Sequence, residues 1–362
     1  MVEYAKCNAF VKGCFHGRTF ADSAAFLERG MLELEHLLTV DNLTTVFTGD
    51  SGTLTSVDHV SFHVDAGEVV CLVGESGCGK SVTSLSIMGL LSRDGKVTEG
   101  SVRFEGRELL SLRERDLDAL RGNRLSMIFQ DPLTSLNPVF TVGSQITESL
   151  KVHLHLSRAE AKKRAADCLA RAGMPDPEGT LRKYPHELSG GMRQRAMIAM
   201  ALCCNPALII ADEPTTALDV TIQAQIIQLL RELQRENGMS LILITHDIGV
   251  VASLADRVLV MYAGQIVEAA PVQELFHQPA HPYTRALLKT VPGIHDDRER
   301  KLVAIPGMVP EQYDKITGCR FAARCAYRTE TCDRPQPAFA FGPRHTARCG
   351  VMAEKQRGGQ AL

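Results

Sequence analysis

Runs of apolar residues divide this chain into segments of two kinds. The stretch LLTVDNLTTVF, which follows Met31, has the pattern of a strand, whereas the first twenty residues show no sustained period. Three short apolar runs, VVCLV, ALIIAD and SLILIT, predict buried strands. Because helical patterns follow these runs, we predict an α/β fold in which the strands are parallel.

Two helices have clear boundaries in the sequence. The segment TIQAQIIQLLRELQREN places apolar residues on one stripe and ends at Gly238. The stripe consists of Ile222, Ile226, Leu229, Leu230 and Leu233. The residues SRAE at 157–160 are typical of a capping box, and Gly173 with Pro175 ends the helix that they begin.

Residues 1–30 form an expected N-terminal extension. Met31 is one candidate for the true start of the protein, because the strand-like pattern begins immediately after it. An ordered extension is the equally weighted alternative, since a single internal methionine carries little information. Residues 1–30 are thus expected to be untranslated, disordered or an ordered appendage.

Composition narrows the class of protein. The 362 residues exceed what one hydrophobic core usually spans, so we expect one large domain and an appendage. The net charge of -2 gives no general electrostatic reason to expect nucleic acid as a partner. The sequence shows neither a secretory signal nor a long apolar span, so we expect a cytosolic chain. In a reducing compartment its eleven cysteines are not expected to form a disulfide framework, so a cluster among them is better explained as ligands or reactive thiols.

A glycine-rich turn between the first buried strand and a helix fits the pattern G-x-x-x-x-G-K-[ST]. In such a loop, backbone N–H groups converge on phosphate oxygens at a helix N-terminus. We expect Lys80 to reach the β- and γ-phosphates of ATP, and the Ser81 hydroxyl to bind Mg²⁺. The thiol of Cys78, near a lysine and a helix N-terminus, is expected to ionise more easily than a free cysteine. The predicted ATP-binding residues of this loop are Gly74, Glu75, Ser76, Gly77, Cys78, Gly79, Lys80, Ser81 and Val82.

The second and third apolar strands end in polar residues that complete this site. Asp212 and Glu213 end the second strand, where adjacent side chains point to different sides. We expect Asp212 to orient Mg²⁺ and Glu213 to act as the base that polarises the attacking water. His246 ends the third strand, and its tip is expected near the same phosphates.

A second glycine-containing turn decides the family. In YPHELSGGMRQRAMIAMAL, the residues Ser189, Gly190 and Gly191 open a helix and form a second anion nest, which one nucleotide site does not need. Together with IFQDP around Gln130, TTALD ending at Asp219 and the later THD, this sequence resembles the ATP-binding subunits of ABC transporters.

The resemblance implies a fold and a set of roles. It implies a P-loop NTPase of ABC type over residues 31–270, with a RecA-like core, an N-terminal antiparallel β part and a helical subdomain at about 131–184 that touches the membrane partner. It also implies a head-to-tail dimer that holds two ATP molecules between the phosphate loop of one subunit and Ser189–Gly191 of the other. Phe47, after the first strand, would stack on adenine, Gln130 would sense Mg²⁺ and the attacking water, and Asp219 would act across the dimer interface. His246 would act as a switch in catalysis.

Past Ala270 the chain continues as a C-terminal extension over residues 271–362. Its segments ELFHQPAHPYTRALLKTVP and GCRFAARCAYRTETC resemble the subfamily that energises bacterial dipeptide and oligopeptide import, the DppD/OppD type. The resemblance implies two transmembrane permeases, a second ATPase subunit, identical or different, and an indirect solute-binding partner. It places the protein peripherally at the cytoplasmic face of the membrane. Import of nickel, glutathione or sugars is the alternative within the subfamily.

Two other classes of protein account less well for the motifs. A soluble ABC ATPase of DNA repair or translation generally has two cassettes or a long coiled coil, whereas this chain has one phosphate loop and no sustained heptads. An iron–sulfur redox protein that binds ATP would leave the SGG segment unexplained. Arg193 and Arg195, which follow that segment, are expected on a solvated helix face.

Four cysteines cluster in the extension, at Cys319, Cys325, Cys332 and Cys349. Their spacing lacks the C-x₂₋₄-C pair that is common in structural zinc sites. The resemblance to the peptide-importer extension implies a [4Fe–4S] cluster with four cysteine ligands, and zinc or unligated cysteines remain the alternatives. We expect a structural role for this site, leave His345 out of the ligand set, and assign no catalytic role to the turn at His281–Tyr283.

Overall fold

The structure is a computed structural model that describes residues 36–49, 52–131, 135–216, 218–290 and 304–359. Its main compact unit extends from Leu37 to Leu362. The predictions for residues 1–30 lie outside the described residues.

Twelve strands are present in the described residues, and two sheets contain them. The strands are β1 Leu38–Gly49, β2 Gly52–Val64, β3 Val69–Val73, β4 Gly95–Phe104, β5 Arg107–Glu108, β6 Leu125–Ile128, β7 Leu208–Asp212, β8 Ser240–Ile244, β9 Arg257–Tyr262, β10 Gln265–Pro271, β11 Phe339–Gly342 and β12 His345–Ala347. The α-helices are α1 Lys80–Met88, α2 Glu114–Leu120, α3 Val142–Leu154, α4 Arg158–Arg171, α5 Pro177–Thr180, α6 Gly190–Leu202, α7 Val220–Asn237, α8 Ile248–Leu254, α9 Val272–His277, α10 Pro282–Lys289 and α11 Gly350–Arg357.

The larger sheet is the centre of the molecule, and its strand order is β11-β12-β10-β9-β3-β8-β7-β6. The pairings from β9 through β3, β8 and β7 to β6 are all parallel. Every residue of β3, β7 and β8 is buried, because helices cover one face of this sheet and α1 with the antiparallel sheet covers the other. The three continuous apolar runs of the sequence are therefore central strands, as predicted.

A second, antiparallel sheet has the order β2-β1-β4-β5, and its strands lie on both sides of β3 in sequence. Its inner residues, among them Leu38, Leu43 and Phe104, are fully buried against α1 and the core sheet. Burial of each such side chain contributes roughly 1.5–3 kcal/mol to folding. This sheet corresponds to the predicted N-terminal antiparallel β part.

The helices α3, α4 and α5 occupy the segment for which a helical subdomain is predicted. Ser157 caps α4 by accepting a hydrogen bond from the Glu160 N–H, while the Glu160 carboxylate accepts one from the Ser157 N–H. This is the predicted capping box. The helix ends at Arg171, two residues before Gly173, whose φ of 71° suits the reversal of the chain there. Likewise α7 ends at Gly238, which has a φ of 62°.

The C-terminal extension joins the core sheet directly. The hairpin of β11 and β12 adds two strands to its edge, because β12 pairs antiparallel with β10 at Glu268–Ala347 and Ala269–Thr346. The cassette and the extension thus share one continuous sheet. Sequence patterns gave no sign of this continuity, since β11 has only four residues and β12 only three.

Glu268 is the polar centre of that junction, and its side chain is fully buried. It accepts hydrogen bonds from the backbone N–H groups of Ala280 and His281, both at 2.7 Å, and its Oε1 lies 2.8 Å from Nε2 of His345. Three separate segments therefore depend on one carboxylate. Buried donors that lose their acceptor cost the full desolvation penalty.

We predict that Glu268→Ala lowers the free energy of unfolding by about 3 kcal/mol, because it leaves two buried backbone N–H groups without an acceptor and removes the partner of His345 Nε2. Denaturant unfolding followed by circular dichroism measures the change. Glu354→Ala, at an exposed position of α11, is the matched control. A loss no larger than that of the control would contradict the role of Glu268.

Candidate active site

The turn between β3 and α1 has the geometry of a phosphate-binding loop. Gly74, Gly77 and Gly79 have φ values of 155°, 77° and 105°, a region that other residues rarely adopt. A Cβ on Gly74 would lie 2.1 Å from the carbonyl oxygen of Met261. The loop therefore fits against β9 only with glycine at this position.

The lysine and serine of the loop lie where the motif predicts. Lys80 is buried, and its Nζ donates to the carbonyl oxygens of Gly74 and Glu75, both at 3.0 Å. Ser81 Oγ donates to Asp212 Oδ1 at 3.1 Å. The second apolar strand thus delivers its first carboxylate to the first turn of α1.

Asp212 is in an unfavourable position for a charge. Its pKa is raised by burial and further by the negative charge of Glu213, while the Ser81 hydrogen bond and the charge of Lys80 oppose the shift. A divalent cation at this position would favour the ionised carboxylate and compensate for the burial. The prediction that Asp212 faces a metal site is consistent with this environment.

Glu213 points away from Asp212 and toward a different set of partners. Its Oε2 accepts hydrogen bonds from Gln130 Nε2 at 3.0 Å and from Thr216 Oγ1 at 2.9 Å. Its Oε1 lies 3.5 Å from Nδ1 of His246, whose side chain is 68% exposed. The three residues predicted as catalytic, Gln130, Glu213 and His246, therefore meet at one carboxylate.

The second glycine turn has a different environment. Ser189 caps α6 by accepting a hydrogen bond from Met192 N–H, and a Cβ on Gly190 or Gly191 would face Leu218 and Ile222 of the segment at α7. Ser189 and Gly190 are exposed. Within this chain, the turn at Ser189–Gly191 therefore contacts different residues from those around the phosphate loop.

The prediction for the two arginines of α6 is wrong. Arg193 Nε donates to the carbonyl oxygen of Pro185 at 2.8 Å, and Arg195 Nη1 donates to that of Ala172 at 2.9 Å. Both side chains are half-buried and tie α6 to neighbouring turns. They are structural contacts, since their donors satisfy backbone carbonyls that end helices or turns.

Two further predicted residues have local roles that the sequence did not indicate. Asp219 is exposed and caps α7, accepting a hydrogen bond from the Ile222 N–H at 2.9 Å.

Phe47 lies inside β1 rather than after it. Its ring packs so closely against Gly95 that a Cβ on that glycine would lie 2.8 Å from the ring. Its half-exposed ring still has a face toward solvent.

The prediction of a readily ionised thiol at Cys78 is also wrong. The side chain is fully buried, and burial raises its pKa, outweighing the opposing effect of Lys80, whose Nζ lies 3.8 Å from Sγ. The sequence placed the thiol correctly beside the lysine. It could not show that the loop turns this side chain inward.

The four cysteines of the extension line one small pocket of about 10 Å³. None of them forms a disulfide. Burial raises the pKa of Cys319 to about 12 and that of Cys349 to about 11, and the neighbouring cysteines add to both shifts. The other side chains around the pocket include His281, Phe321 and Tyr327.

Sequence reasoning missed a group of residues that contact the phosphate loop from the extension. Tyr283 Oη accepts a hydrogen bond from the Glu75 N–H at 3.0 Å, although the turn that contains it was given no role. Arg324 forms a two-pronged ion pair with the Glu75 carboxylate. No local pattern could reveal these contacts, because they join residues more than two hundred positions apart.

Comparisons with known proteins agree with this geometry. A family model described as ABC transporter matches residues 57–216. The dipeptide transport ATP-binding protein DppD of Escherichia coli is 52% identical over 303 residues, which are 84% of this chain and 92% of the relative. The chain belongs to the ABC transporter ATP-binding subunits. Members of this family couple ATP hydrolysis to transport.

Further relatives extend the similarity through the C-terminal region. A model described as oligopeptide/dipeptide transporter, C-terminal region, matches residues 267–332. The oligopeptide transport ATP-binding protein AppD of Bacillus subtilis is 51% identical over 321 residues, covering 88% of this chain and 98% of the relative.

Solved structures share the fold of the cassette. The dimeric ATP-binding cassette MJ0796, bound to ADP and Pi, matches with a TM-score of 0.59 and 30% identity, covering 65% of this chain and 98% of that one. The cassette cbiO1 of Clostridium perfringens matches with a TM-score of 0.57 and 29% identity, covering 67% of this chain and 91% of that one. Among the described helices, none has the length and apolar character that a membrane span requires.

We predict that Cys78 reacts slowly with iodoacetamide at pH 8. The thiolate is the reactive form, and a pKa above the usual 9.0 lowers its fraction at this pH, so the rate should rise only as the pH rises further. Mass spectrometry of Cys78-containing peptides measures the rate. The same protein in denaturant is the control, and equal rates in the two states would contradict the burial effect.

Proposed function

We propose that this ATP-binding subunit drives the import of dipeptides or short oligopeptides. The observation that carries the proposal is the C-terminal region: the match at residues 267–332 is to a region described for oligopeptide and dipeptide transporters. The names of relatives that are about half identical over most of the chain agree with it. Import of nickel, glutathione or a sugar is the alternative to be tested.

The ATP phosphates are proposed to bind at the turn from Gly74 to Val82. The N–H groups at the start of α1 point to this turn, and Lys80 lies within it. The Ser81 hydroxyl and the Asp212 carboxylate, which contact each other, are oxygen donors suited to Mg²⁺. Gln130 would complete the metal side, and the half-exposed ring of Phe47 would stack on adenine.

Glu213 is the proposed general base for water attack. Its carboxylate is held by hydrogen bonds from Gln130 and Thr216, which orient it without neutralising it. His246 approaches its other oxygen and is exposed enough to contact the γ-phosphate side of the site. When bound, Mg²⁺ would offset the charge that develops on the phosphate oxygens.

A head-to-tail dimer is proposed as the working form. The exposed positions of Ser189, Gly190 and Asp219 support this proposal, because a partner subunit can reach them. The solved cassette MJ0796 is described as dimeric. The partner would be a second copy of this chain or a different ATPase subunit.

The segment around α3 is the proposed contact with the two permeases. Val139, Phe140 and Val152 are 70%, 55% and 60% exposed, an unusual display of apolar side chains for a free surface. They lie in the segment for which the helical subdomain was predicted. Contact there would hold the subunit peripherally at the cytoplasmic face of the membrane, with the extracytoplasmic solute-binding protein as an indirect partner.

The four cysteines are proposed to hold a [4Fe–4S] cluster. Cys319, Cys325, Cys332 and Cys349 face one pocket, and four thiolates are the ligand set of such a cluster. Zinc is the alternative.

We predict that Glu213→Gln binds ATP as the wild type does and loses at least about 100-fold in turnover, since the amide keeps the shape but not the charge that polarises water. Lys80→Ala should instead weaken ATP binding itself. Steady-state phosphate release and equilibrium ATP binding separate the two effects. Glu99→Gln, at an exposed position of β4, is the control, and normal turnover by Glu213→Gln would contradict the assignment.

The same variant tests the transport function. Cells whose own copy of the gene is deleted should take up labelled dipeptide when they carry the wild-type gene and fail to do so with Glu213→Gln. Uptake of labelled nickel or glutathione, in place of the dipeptide, would identify the alternative substrate.

We predict that anaerobically purified protein is brown, with the broad absorption at ~400 nm that is typical of thiolate-bound iron–sulfur centres. Cys325→Ser should lose the colour and the iron, because it removes one ligand. Cys168→Ser, in α4, is the control and should keep both. Colourless protein with one equivalent of zinc, and without iron after anaerobic reconstitution, would show that the metal is zinc.

A further inference from the structure

Arg324 lies in the cysteine segment, immediately before Cys325, on a short 3-10 turn. Its side chain is only 7% exposed. A guanidinium has five N–H donors, and this one has five acceptors within hydrogen-bond distance. The acceptors are the two carboxylate oxygens of Glu75 at 2.8 and 3.0 Å, Tyr262 Oη at 3.3 Å, and the carbonyl oxygens of Pro306 at 2.8 Å and Ile305 at 3.4 Å.

Glu75 is the second residue of the phosphate loop, and the extension holds it at two points. Arg324 binds its carboxylate with both Nη atoms, and Tyr283 accepts the hydrogen bond of its N–H. Tyr283 is fully buried and packs against Tyr262 and Phe321, with ring centroids 4.7 and 5.4 Å away. The side chain and the backbone of Glu75 are therefore both fixed by residues outside the cassette motif.

The position of Glu75 matters for the ATP site because its carbonyl oxygen accepts a hydrogen bond from Lys80 Nζ at 3.0 Å. A displacement of Glu75 would move an acceptor of the lysine that is to reach the phosphates. The residues that follow Glu75, up to Gly79, carry the backbone donors proposed to surround those phosphates. The contact with Arg324 thus fixes an acceptor of the lysine and the point at which this part of the loop begins.

A second contact joins the same segments. Arg320, next to Cys319, donates to the carbonyl oxygen of Ala263 and forms an ion pair with Asp58. The neighbouring Gly264 N–H donates to the carbonyl oxygen of Cys78 at 2.9 Å. The cysteine segment therefore contacts the start of the phosphate loop directly and is linked to its middle through Ala263 and Gly264.

We infer that Arg324 is a positioning residue for ATP binding: by fixing Glu75, it makes the cysteine segment a support of the phosphate loop. The inference rests on the proposed binding of ATP at this loop and does not depend on which metal the cysteines hold. A bidentate, charge-assisted pair gives geometric specificity that a lysine at the same position would not reproduce.

The test is a double-mutant cycle in the full-length protein, with equilibrium binding of the non-hydrolysable analogue Mg-AMPPNP as the probe. Arg324→Gln and Glu75→Gln should each raise its Kd about tenfold, and the double variant should bind no more weakly than either single variant. For Arg324→Gln the kcat for ATP should stay within about twofold, so that the effect appears in KM. Arg328→Gln is the matched control, because Arg328 forms an exposed pair with Asp333 in the same segment.

The outcomes separate the inference from the proposed function. A wild-type protein that does not bind Mg-AMPPNP would contradict ATP binding itself. Arg324→Gln with the Kd of the Arg328→Gln control, or two single effects that add in the double variant, would overturn the positioning role. If Arg324→Gln fails to fold, Glu75→Gln tests the same contact from the loop side, since it removes only the charge, and an unchanged Kd would again overturn the inference.

Discussion

The active site depends on the parallel register of three central strands. Leu72 of β3 and Asp212 of β7 both pair with Ile244 at the end of β8, so the three strands end at the same level. Because the chain leaves each parallel strand at the same edge of the sheet, the phosphate loop, the two carboxylates and His246 emerge side by side. The register, in turn, is fixed by strands that are buried throughout and lose their packing if they slip by one residue.

This dependence explains how much of the site the sequence could predict. The glycine loop, Asp212, Glu213 and His246 each follow an apolar run, and parallel strands bring such ends together whatever the rest of the fold does. The capping box at Ser157 and the helix stop at Gly238 are local signals of the same kind, and both are present. Features that depend on a short stretch of chain, or on one general rule of topology, could therefore be predicted from the sequence.

The features that sequence reasoning missed all depend on the packing of distant segments. The Cys78 side chain lies in a buried cluster that contains Met261 of β9 and residues of the antiparallel sheet, and the hydrogen bonds of Arg193 and Arg195 are set by turns that α6 meets only in the folded chain. The same holds for Arg324, because its contact with Glu75 exists only when the folded chain places the cysteine segment against the phosphate loop. The residue types at these positions permit several environments, and only the tertiary structure selects one.

Asp212 and Glu213 show how neighbouring carboxylates acquire different chemistry. Burial raises the pKa of Asp212, so protonation of this carboxyl favours the folded state. The stability that the protonated form contributes is present below the unfolded pKa and is lost as the pH rises through the raised pKa. Glu213 instead has a φ of 44°, an unfavourable conformation for a residue with a Cβ, which turns its side chain toward Gln130 and His246. Its N–H donates to the carbonyl oxygen of Ile244 at 2.9 Å, so the end of β8 holds this backbone in place. The sheet thus bears two neighbouring carboxylates with different costs, one of burial and one of backbone strain, and both fall on the residues proposed to bind Mg²⁺ and to polarise water.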